Sequence, residues 1–496
     1  MRKSILALAA LLSAGMAVHA HAATPDALRA QLKTANALAG GDEFDAPKVC
    51  PVAEPILADP GFAALADYEK HDVYYLNGTC EILHDHAAAS LALLDKALAL
   101  PGVSGKDWNM RLFAAGELGD HKAEVESLRM LAAYYPDWLG NHSDQDIVVT
   151  AIEADRYVST EQSTALLDAL FAAHWQPTNS SVVVDGLWFK LATVHLAAGD
   201  EAGAEAAMAL IHDPDTMVSL RIDRRFDAVV AKHRERYDVP AALNWELARS
   251  AADTAAAPDK LEALDMHVQY LLEQGHYDEA LTIIDGAIAR MKANPKAFSD
   301  QADQANWALD FRARVLERLG RFDEALAMRE AAAKLDENGG ANVSQAINLA
   351  DIDVDLNHPQ EALDAMAKLG RMSGYGQMAF EQTRTCAYAE LGDKTAMAAS
   401  LAFVQAHADD APSLAVQADL CAGDMDDAAR LTIKLLAAPG QRGSVLSSLQ
   451  DYRDSPTPPH AQAMHAAMLA LRARPDVAAA IDKVGRILRW DLAVEN

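Results

Sequence analysis

The octets QGHYDEAL, residues 274–281, and LGRFDEAL, residues 319–326, decide the fold because they spell the same turn twice. Each contains a glycine, a basic residue type, an aromatic residue, two acids, alanine and leucine. Glycine often ends a helix because it adopts the left-handed conformation easily, and acids favour the first turn of the helix that follows. Each octet therefore predicts a helix, a tight corner and a second helix. A helix pair repeated in series is typical of a solenoid.

Apolar residues around both corners recur every three or four positions, which places them on one face of each helix. Before Gly275 this stripe comprises Leu264, Val268 and Leu271. The stripe after Gly275 comprises Ala280, Leu281, Ile284, Ala287 and Ile288. The unit around Gly320 repeats the scheme with Leu309, Ala313, Leu316, Phe322, Ala325 and Ala332. Weaker copies have their corners at Gly119, Gly199, Asn357, Gly392 and Gly423.

This pattern resembles the tetratricopeptide repeat, a helix-turn-helix unit of about 34 residues. Trp188, Leu191 and Ala192 match the large, apolar and small residues of that family's first helix. The resemblance implies an all-α, right-handed α-solenoid. The last repeat of a solenoid would expose its apolar face, so a closing element is needed. Two helices expected within residues 455–490 would form a C-terminal capping helix pair.

The spacing of the corners predicts how the chain is organised. Glycine corners are missing over residues 213–260, although the helical periodicity continues there. The expected order is a signal peptide (1–22), N-terminal repeats (23–212), a divergent helical segment (213–260), C-terminal repeats (261–439) and capping helices (440–496).

The N-terminus has the composition of a secretory signal peptide. Arg2 and Lys3 precede an apolar run, and Ala20-His21-Ala22 supplies small residues for cleavage after Ala22. We therefore expect a periplasmic or secreted protein. No later stretch has the eighteen or so uninterrupted apolar residues that a transmembrane helix needs, so membrane insertion is not expected.

The chain is strongly acidic. It has 72 Asp and Glu against 43 Lys and Arg, a formal net charge of -29. Such a charge disfavours nucleic acids and anionic membranes as partners and favours basic partners or cations. The same charge could instead serve solubility alone.

The four cysteines are Cys50, Cys80, Cys386 and Cys421. An even number of cysteines in an oxidising compartment indicates two disulfides. A Cys50–Cys80 bond would pin the N-terminal segment to the first repeat and stabilise it by ~3.5 kcal/mol. Cys386 and Cys421 lie about one repeat apart, and they form either a second disulfide or buried free thiols.

The candidate metal ligands and catalytic motifs are few. The His-Asp-His stretch at residues 84–86 offers imidazole and carboxylate ligands, which suit zinc. It also falls at the expected corner of the first repeat, where alternate residues of a turn rarely aim at one point, so a solvated turn is the favoured interpretation. The chain contains neither HExxH, nor a GxSxG elbow, nor a phosphate-binding glycine motif. We therefore expect no catalytic residues and no cofactor.

One basic stripe interrupts the acidic sequence. Its cations could dock on an acidic face of the same molecule or of a second copy, could hold an anionic ligand, or could form a solvated helix face. The stripe comprises Arg221, Arg224, Arg225, Lys232, Arg234 and Arg236.

In tetratricopeptide proteins the partner usually lies in the concave groove formed by the first helices. By register, this groove would be mostly acidic, which suits an extended basic peptide; a merely solvated surface is the alternative. The expected groove residues are Glu262, Asp265, Gln269, Glu273, Trp307, Asp310, Arg314, Glu317, Arg318, Asp351 and Asp355.

These observations predict a non-catalytic periplasmic or secreted scaffold that binds a protein or peptide through its concave face. The alternative is a metal-dependent hydrolase or another enzyme built on a helical-repeat scaffold. A third possibility is a structural subunit of the cell envelope.

Overall fold

The computed structural model describes residues 22–40, 44–179, 181–336, 340 and 342–493. Of the expected signal peptide only Ala22 is among them, so that prediction lies outside the described residues. Over these ranges the chain forms helices and no strand, and isolated bridges pair Asp223 with Gly485 and Asp451 with Arg489. The predicted all-α class is confirmed. The chain divides into two compact units, residues 1–176 and residues 177–496.

Unit 1 is a series of helix pairs in which each second helix runs back along the first. Asp85 at the corner between α3 and α4 and Gly119 at the corner between α5 and α6 both adopt the left-handed conformation, with φ of 62° and 64°. Its helices are α1 (Pro25–Ala39), α2 (Ala46–Ala58), α3 (Asp67–Leu83), α4 (Ala87–Leu98), α5 (Gly105–Leu118), α6 (His121–Tyr134), α7 (Asp144–Tyr157) and α8 (Thr160–Ala172).

Side-chain caps and a continuous core explain why unit 1 adopts this structure. Asp120, Ser143 and Ser159 each accept a hydrogen bond from a backbone N–H of the first turn that follows, which satisfies a donor that the helix itself leaves unpaired. The apolar core among α1, α2 and α3 comprises Leu28, Leu32, Ala35, Val49, Ala53, Ile56, Leu65, Val73 and Leu76.

Unit 2 continues the helix pairs through the predicted divergent segment. That segment contains α11 and α13, which pack on each other, with the short α12 between them. The helices up to residue 437 are α9 (Asp185–Ala197), α10 (Glu201–Met208), α11 (Pro214–Ile222), α12 (Asp227–Lys232), α13 (Val239–Ala256), α14 (Leu261–Gln274), α15 (Tyr277–Ala293), α16 (Gln301–Arg318), α17 (Phe322–Ala332), α18 (Val343–Asp355), α19 (Pro359–Met366), α20 (Gly374–Leu391), α21 (Lys394–Ala406), α22 (Pro412–Cys421) and α23 (Met425–Ala437).

The corners of unit 2 lie at the positions that the sequence predicts. At each of them a first helix ends in a residue with positive φ, which glycine adopts without strain and asparagine tolerates. The serial helix pairs are therefore confirmed. The corner residues are Gly199 (φ 78°), Gly275 (79°), Gly320 (71°), Asn357 (61°), Gly392 (71°) and Gly423 (75°).

The remaining described residues of unit 2, 440–493, form what we call the returning segment. It contains α24 (Arg442–Ser448), α25 (Pro459–Ala473) and α26 (Pro475–Val484). Helix α26 packs on α23, and α25 contacts α18 and α22, at the late end of the unit. Helix α24 packs on α22 and α23 and also on α11, near the beginning of the unit. A capping role and the right-handed twist stay predictions.

Two disulfides fasten neighbouring helices within the units. Cys50 in α2 is bonded to Cys80 in α3, and Cys386 in α20 is bonded to Cys421 in α22. Neither bond joins the two units. Over the described residues, no helix is both long and apolar enough to cross a membrane.

Candidate functional site

The eleven predicted groove residues lie on three first helices of unit 2, and we call this set the first-helix face. Helix α14 packs directly on α16, and Asn348 of α18 reaches α16 by a hydrogen bond. The structure therefore places the three helices side by side. Within the face, Asp265, Glu273 and Asp310 are buried, Asp351 is exposed, and the other seven residues are half-buried.

Asp310 is a buried hydrogen-bond acceptor within the first-helix face. Its carboxylate accepts hydrogen bonds from Arg314 Nε at 2.6 Å, from Asn348 Nδ2 at 3.0 Å and from Arg329 Nη1. Arg329 also donates to Glu317 Oε1 from Nη2 at 3.1 Å. Burial lowers the pKa of the Arg329 guanidinium to about 10. Because these contacts join α16, α17 and α18, Asp310 holds the repeats together.

Sequence reasoning missed Arg329 and Asn348. Arg329 lies on a second helix, α17, whereas register arguments assign only first helices to the groove. The available signal was that Arg329 lies on the core-facing side of its helix pair. Buried arginines are rarely without a carboxylate partner, so this position indicates an acid nearby.

The acid row comprises Glu273, Glu317 and Asp355, one carboxylate at the C-terminal end of each of α14, α16 and α18. Burial raises the pKa of Glu273 to about 8 and that of Glu317 and of Asp355 to about 7. Neighbouring carboxylates raise each pKa further: Asp215 acts on Glu273, and Asp351 acts on Asp355. The C-terminus of a helix carries a partial negative charge, which also disfavours the ionised form of these carboxyls. The row therefore favours a proton or a cation.

Asp351 lies at the open side of the acid row. Part of its side chain reaches solvent, yet desolvation by the protein packed around the carboxylate raises its pKa to about 6, against the opposing effects of Thr383 and Arg329. Thr383 Oγ1 donates a hydrogen bond to Asp351 Oδ1 at 2.5 Å. Asp351 is thus the predicted groove residue that is most accessible to a partner.

Asp265 is the deepest acid on α14. Its side chain is buried, and over the described residues neither carboxylate oxygen has a hydrogen-bond donor. Burial is the largest cause that raises its pKa well above the ordinary value, and Asp300 contributes. Helix α14 therefore carries a second carboxyl with a raised pKa besides Glu273.

The remaining predicted residues lie elsewhere on α14 and α16, and Glu262 is at the opposite end of α14 from the row. Glu262 accepts a hydrogen bond from Asn179 Nδ2 at 3.3 Å, and Gln269 Nε2 donates to Glu273 Oε1 at 2.8 Å. Trp307 is half-buried on α16. The structure thus brings the predicted residues together on one face, at different depths.

The returning segment crosses the ends of the first helices. Arg453 Nη1 donates a hydrogen bond to Gln274 O at 2.5 Å, and Ala493 N donates to Glu273 O at 2.9 Å. Arg318 Nη1 donates to Ser455 Oγ at 3.1 Å. The carbonyl end of α14 is therefore already satisfied by extended chain, including one arginine.

The two corners of the diagnostic octets lie directly under this segment. A Cβ atom on Gly275 would collide with the Arg453 guanidinium, and one on Gly320 would lie 3.2 Å from Pro456 Cβ. These glycines are needed for their positive φ and also for the close approach of residues 453–456.

Most side chains of the basic stripe bind other residues of unit 2. Arg225 pairs with the buried Asp223 and donates from Nη1 to Pro439 O at 3.0 Å, while Arg224 Nε donates to Asp482 O at 3.0 Å. Arg221 Nη1 donates to Tyr237 O at 2.9 Å. Further along the stripe, Lys232 pairs with Glu201, and Arg234 and Arg236 are exposed. Intramolecular docking therefore accounts for most of the stripe.

The His-Asp-His stretch forms a corner whose imidazoles have different partners. His84 Nδ1 lies 3.9 Å from Glu54, His86 Nδ1 lies 2.8 Å from Glu81, and the two ring centres are 6.4 Å apart. Asp85 between them has positive φ. This geometry favours the solvated corner over a shared metal ligand set.

No protein-family model and no curated protein matches the chain. Solved structures do match. The structure of yeast Tom70 is similar at 14% identity over 92% of this chain and 99% of that chain, with a TM-score of 0.31. The APC/C hetero-tetramer Cut9–Hcn1 is similar at 12% identity over 93% of this chain and 96% of that chain, with a TM-score of 0.30.

The fold assignment rests on the geometry of the chain itself. Helix pairs follow one another in both units, and left-handed residues form the corners where the octet pattern predicts them. In its repeats, the chain is an all-α protein with a tetratricopeptide-like helix-pair fold.

Proposed function

We propose that this protein is a non-catalytic scaffold of the periplasm or the cell exterior, and that unit 2 binds a protein or peptide segment carrying Lys or Arg. The acid row carries this proposal. Three carboxylates with raised pKa are spaced one per repeat. Glu273 is buried and Glu317 already pairs with Arg329, so a cation of the partner would act at the more open Asp355 and at Asp351 near it.

Arg453 supports the choice of a basic partner. Its guanidinium lies at the carbonyl end of α14, where the helix dipole favours a cation, and pairs with Asp491 across 2.9 Å. The chain therefore already uses one arginine in extended backbone at the first position of the row. A partner residue of the same kind would fit the more open positions near Asp351 and Asp355.

An exposed aromatic residue lies on α13, the helix that packs on α14. Trp245 on α13 is half exposed, and the His212 ring centre lies 5.3 Å from it, next in sequence to Asp213. Aromatic faces beside carboxylates bind cationic side chains well. We assign Trp245 to the same partner-binding surface.

Binding of a labelled Lys- and Arg-containing peptide tests the site. Asp351→Lys and Asp355→Lys should each weaken the complex about tenfold or more, because each change replaces attraction by repulsion at close range. Fluorescence anisotropy measures the affinity. The matched control is Asp323→Lys, which makes the same charge change at an exposed position on the second helix α17.

Equal affinities for Asp351→Lys, Asp323→Lys and the wild type would place the partner elsewhere. The enzyme alternative makes a different prediction, namely stoichiometric zinc retained through dialysis and lost from His84→Ala and His86→Ala variants. Fractionation of cells that express the full-length chain tests the proposed location, and a purely cytoplasmic pool would contradict it.

A further inference from the structure

A cluster of soft ligands lies where the returning segment meets the late repeats. The two sulfur atoms of Cys386 and Cys421 and one ring nitrogen of His460 all lie within 4.8 Å of one another. His460 Nε2 is 4.0 Å from Cys421 Sγ, and Met464 Sδ is 3.7 Å from the same sulfur. The ligands come from three helices, α20, α22 and α25.

The histidine of this cluster has a carboxylate beside its other ring nitrogen. His460 Nδ1 lies 2.5 Å from Glu390 Oε1, and both side chains are largely buried. Imidazoles that bind metal ions through one nitrogen usually present the other to a carboxylate, which fixes the ring and its tautomer. The cluster therefore has the supporting carboxylate of a metal site as well as its ligands.

The distances suit one small ion. Zinc binds sulfur at about 2.3 Å and nitrogen at about 2.0 Å, so two ligands of one tetrahedral ion lie roughly 3.5–4 Å apart. His460 Nε2 lies 4.0 Å from Cys421 Sγ, which is already the separation expected of two ligands of one ion. The Cα atoms of the two cysteines are 5.0 Å apart. Separation of the two sulfurs is the main adjustment that an ion would require.

We propose that reduction of the Cys386–Cys421 disulfide creates a binding site for a zinc(II) or copper(I) ion, with Cys386, Cys421 and His460 as ligands. Thiolates and imidazole select these soft d¹⁰ ions, and the nearby Met464 thioether adds preference for copper(I). The oxidised bond keeps the site closed. The site is independent of the proposed peptide binding.

The chemistry balances with a dithiol as the reductant. The dithiol supplies two electrons and two protons to the protein disulfide and is itself oxidised to a disulfide, which leaves two cysteine thiols. When the ion binds, each thiol releases its proton to solvent, and the neutral imidazole donates its Nε2 lone pair. The ion would then link α20 and α22, as the disulfide does, and would add α25 to the link.

Cobalt(II) and zinc(II) titrations of the full-length protein test this proposal. Anaerobically reduced wild type should bind cobalt with thiolate charge-transfer absorption and the intense visible bands of tetrahedral coordination, and zinc should displace it. Oxidised wild type should show neither band. His460→Ala should weaken zinc binding at least tenfold, as loss of one ligand does. His465→Ala, an exposed histidine on the same helix, should match the wild type.

The other disulfide provides the second control, because Cys50, Cys80 and Glu54 form a comparable set in which the two cysteines are buried, Glu54 is exposed and the third ligand is a carboxylate instead of an imidazole. A Cys50→Ser/Cys80→Ser variant should keep the cobalt spectrum, and a Cys386→Ser/Cys421→Ser variant should lose it. Unchanged spectra in His460→Ala would overturn the proposal. A reduced wild type that loses its helical circular dichroism and does not regain it with zinc would also overturn it. Copper(I) competition then assigns the preferred ion.

Discussion

A single buried histidine links two helix pairs of unit 1. The His71 ring lies between Asp107, 3.0 Å from Nε2, and Asp72, 3.2 Å from Nδ1, and its side chain is almost fully buried. Asp107 first, and then Asp72, raise the pKa of His71 to about 9. The charged imidazolium therefore belongs to the folded state at neutral pH, and it joins α3 to α5.

His71 should make unit 1 sensitive to alkali. Because its folded pKa exceeds the unfolded value of about 6.5, its stabilisation is complete below that value and is lost as pH rises through about 9. His71→Gln should destabilise α3 and α5 by about 2–3 kcal/mol at pH 6 and by much less at pH 10. Hydrogen exchange of residues 67–83 and 105–118, corrected for intrinsic rates, measures this. A difference that does not change with pH would contradict the charged pair.

Two corner glycines with the same backbone conformation should respond differently to substitution. Gly392→Ala meets no atom within 4 Å and should cost only the left-handed penalty, about 1–2 kcal/mol. Gly275→Ala carries the same penalty and also displaces Arg453 from Gln274 O. It should therefore expose the returning segment to protease, whereas Gly392→Ala should not. Equal cleavage of the two variants would argue against docking at Gly275.

At the scale of elements, carboxylates lie at the C-terminal ends of the first helices of unit 2, where burial and neighbouring acids disfavour their charged form. Glu273 shows the effect most strongly, since burial raises its pKa to about 8 and Asp215 adds to the shift. A raised acid pKa means that the fold prefers the protonated form. That preference contributes stability below the unfolded pKa of about 4.5, and the contribution is lost as pH rises through about 8.

Glu273→Gln should therefore stabilise unit 2 above pH 8, where the wild type carries the buried charge. We expect a gain of about 1–3 kcal/mol at pH 9 and no gain at pH 5. Urea unfolding followed by circular dichroism at both pH values measures the difference. Asp323→Asn, at an exposed position, should change stability little at either pH. A destabilised Glu273→Gln at pH 9 would show that the carboxylate has a partner cation.

The sequence predicts these elements far better than it predicts their contacts. Corners such as Gly320 are local, because a glycine, its flanking acids and the apolar stripe fall within a few turns of helix. The depth of Asp310 is not local, since it depends on Arg329 of another helix and on Asn348 of another repeat. Register identifies which face of a helix is polar, but the packing of neighbouring repeats decides how far that face is buried.

The returning segment is the largest departure from what local pattern can predict. Its two closing helices are expected from periodicity, and both form, but the second ends at Val484 and not at Trp490 as the periodicity predicts. Its contacts with Ile222 and Glu273 join residues more than two hundred positions apart. Arg224 and Arg225 stand out in the sequence because they are basic residues in an acidic chain. Nothing in their local sequence indicates that they bind the carbonyls of Asp482 and Pro439.

For the whole molecule, the net charge of -29 should govern the rate at which a basic partner arrives. Opposite charges steer association, and salt screens them over roughly 8 Å at physiological ionic strength. Raising salt from about 50 to about 300 mM should lower the association rate of a Lys- and Arg-containing peptide about tenfold, with a smaller change in dissociation. Stopped-flow fluorescence measures both rates. A peptide with Gln at the same positions is the control, and equal salt dependence of the two would contradict steering.

Contacts within unit 2 also determine how that unit unfolds. In an open array each repeat touches only its neighbours, so the terminal repeats fray first and the stability is close to a sum of nearest-neighbour terms. Here Arg486 N donates to Ile222 O, and α24 packs on α11, so the late residues support the early helices. Neither terminal repeat can fray without first breaking that connection. Unit 2 should therefore lose its structure in one cooperative step, with slow exchange even in its outermost helices.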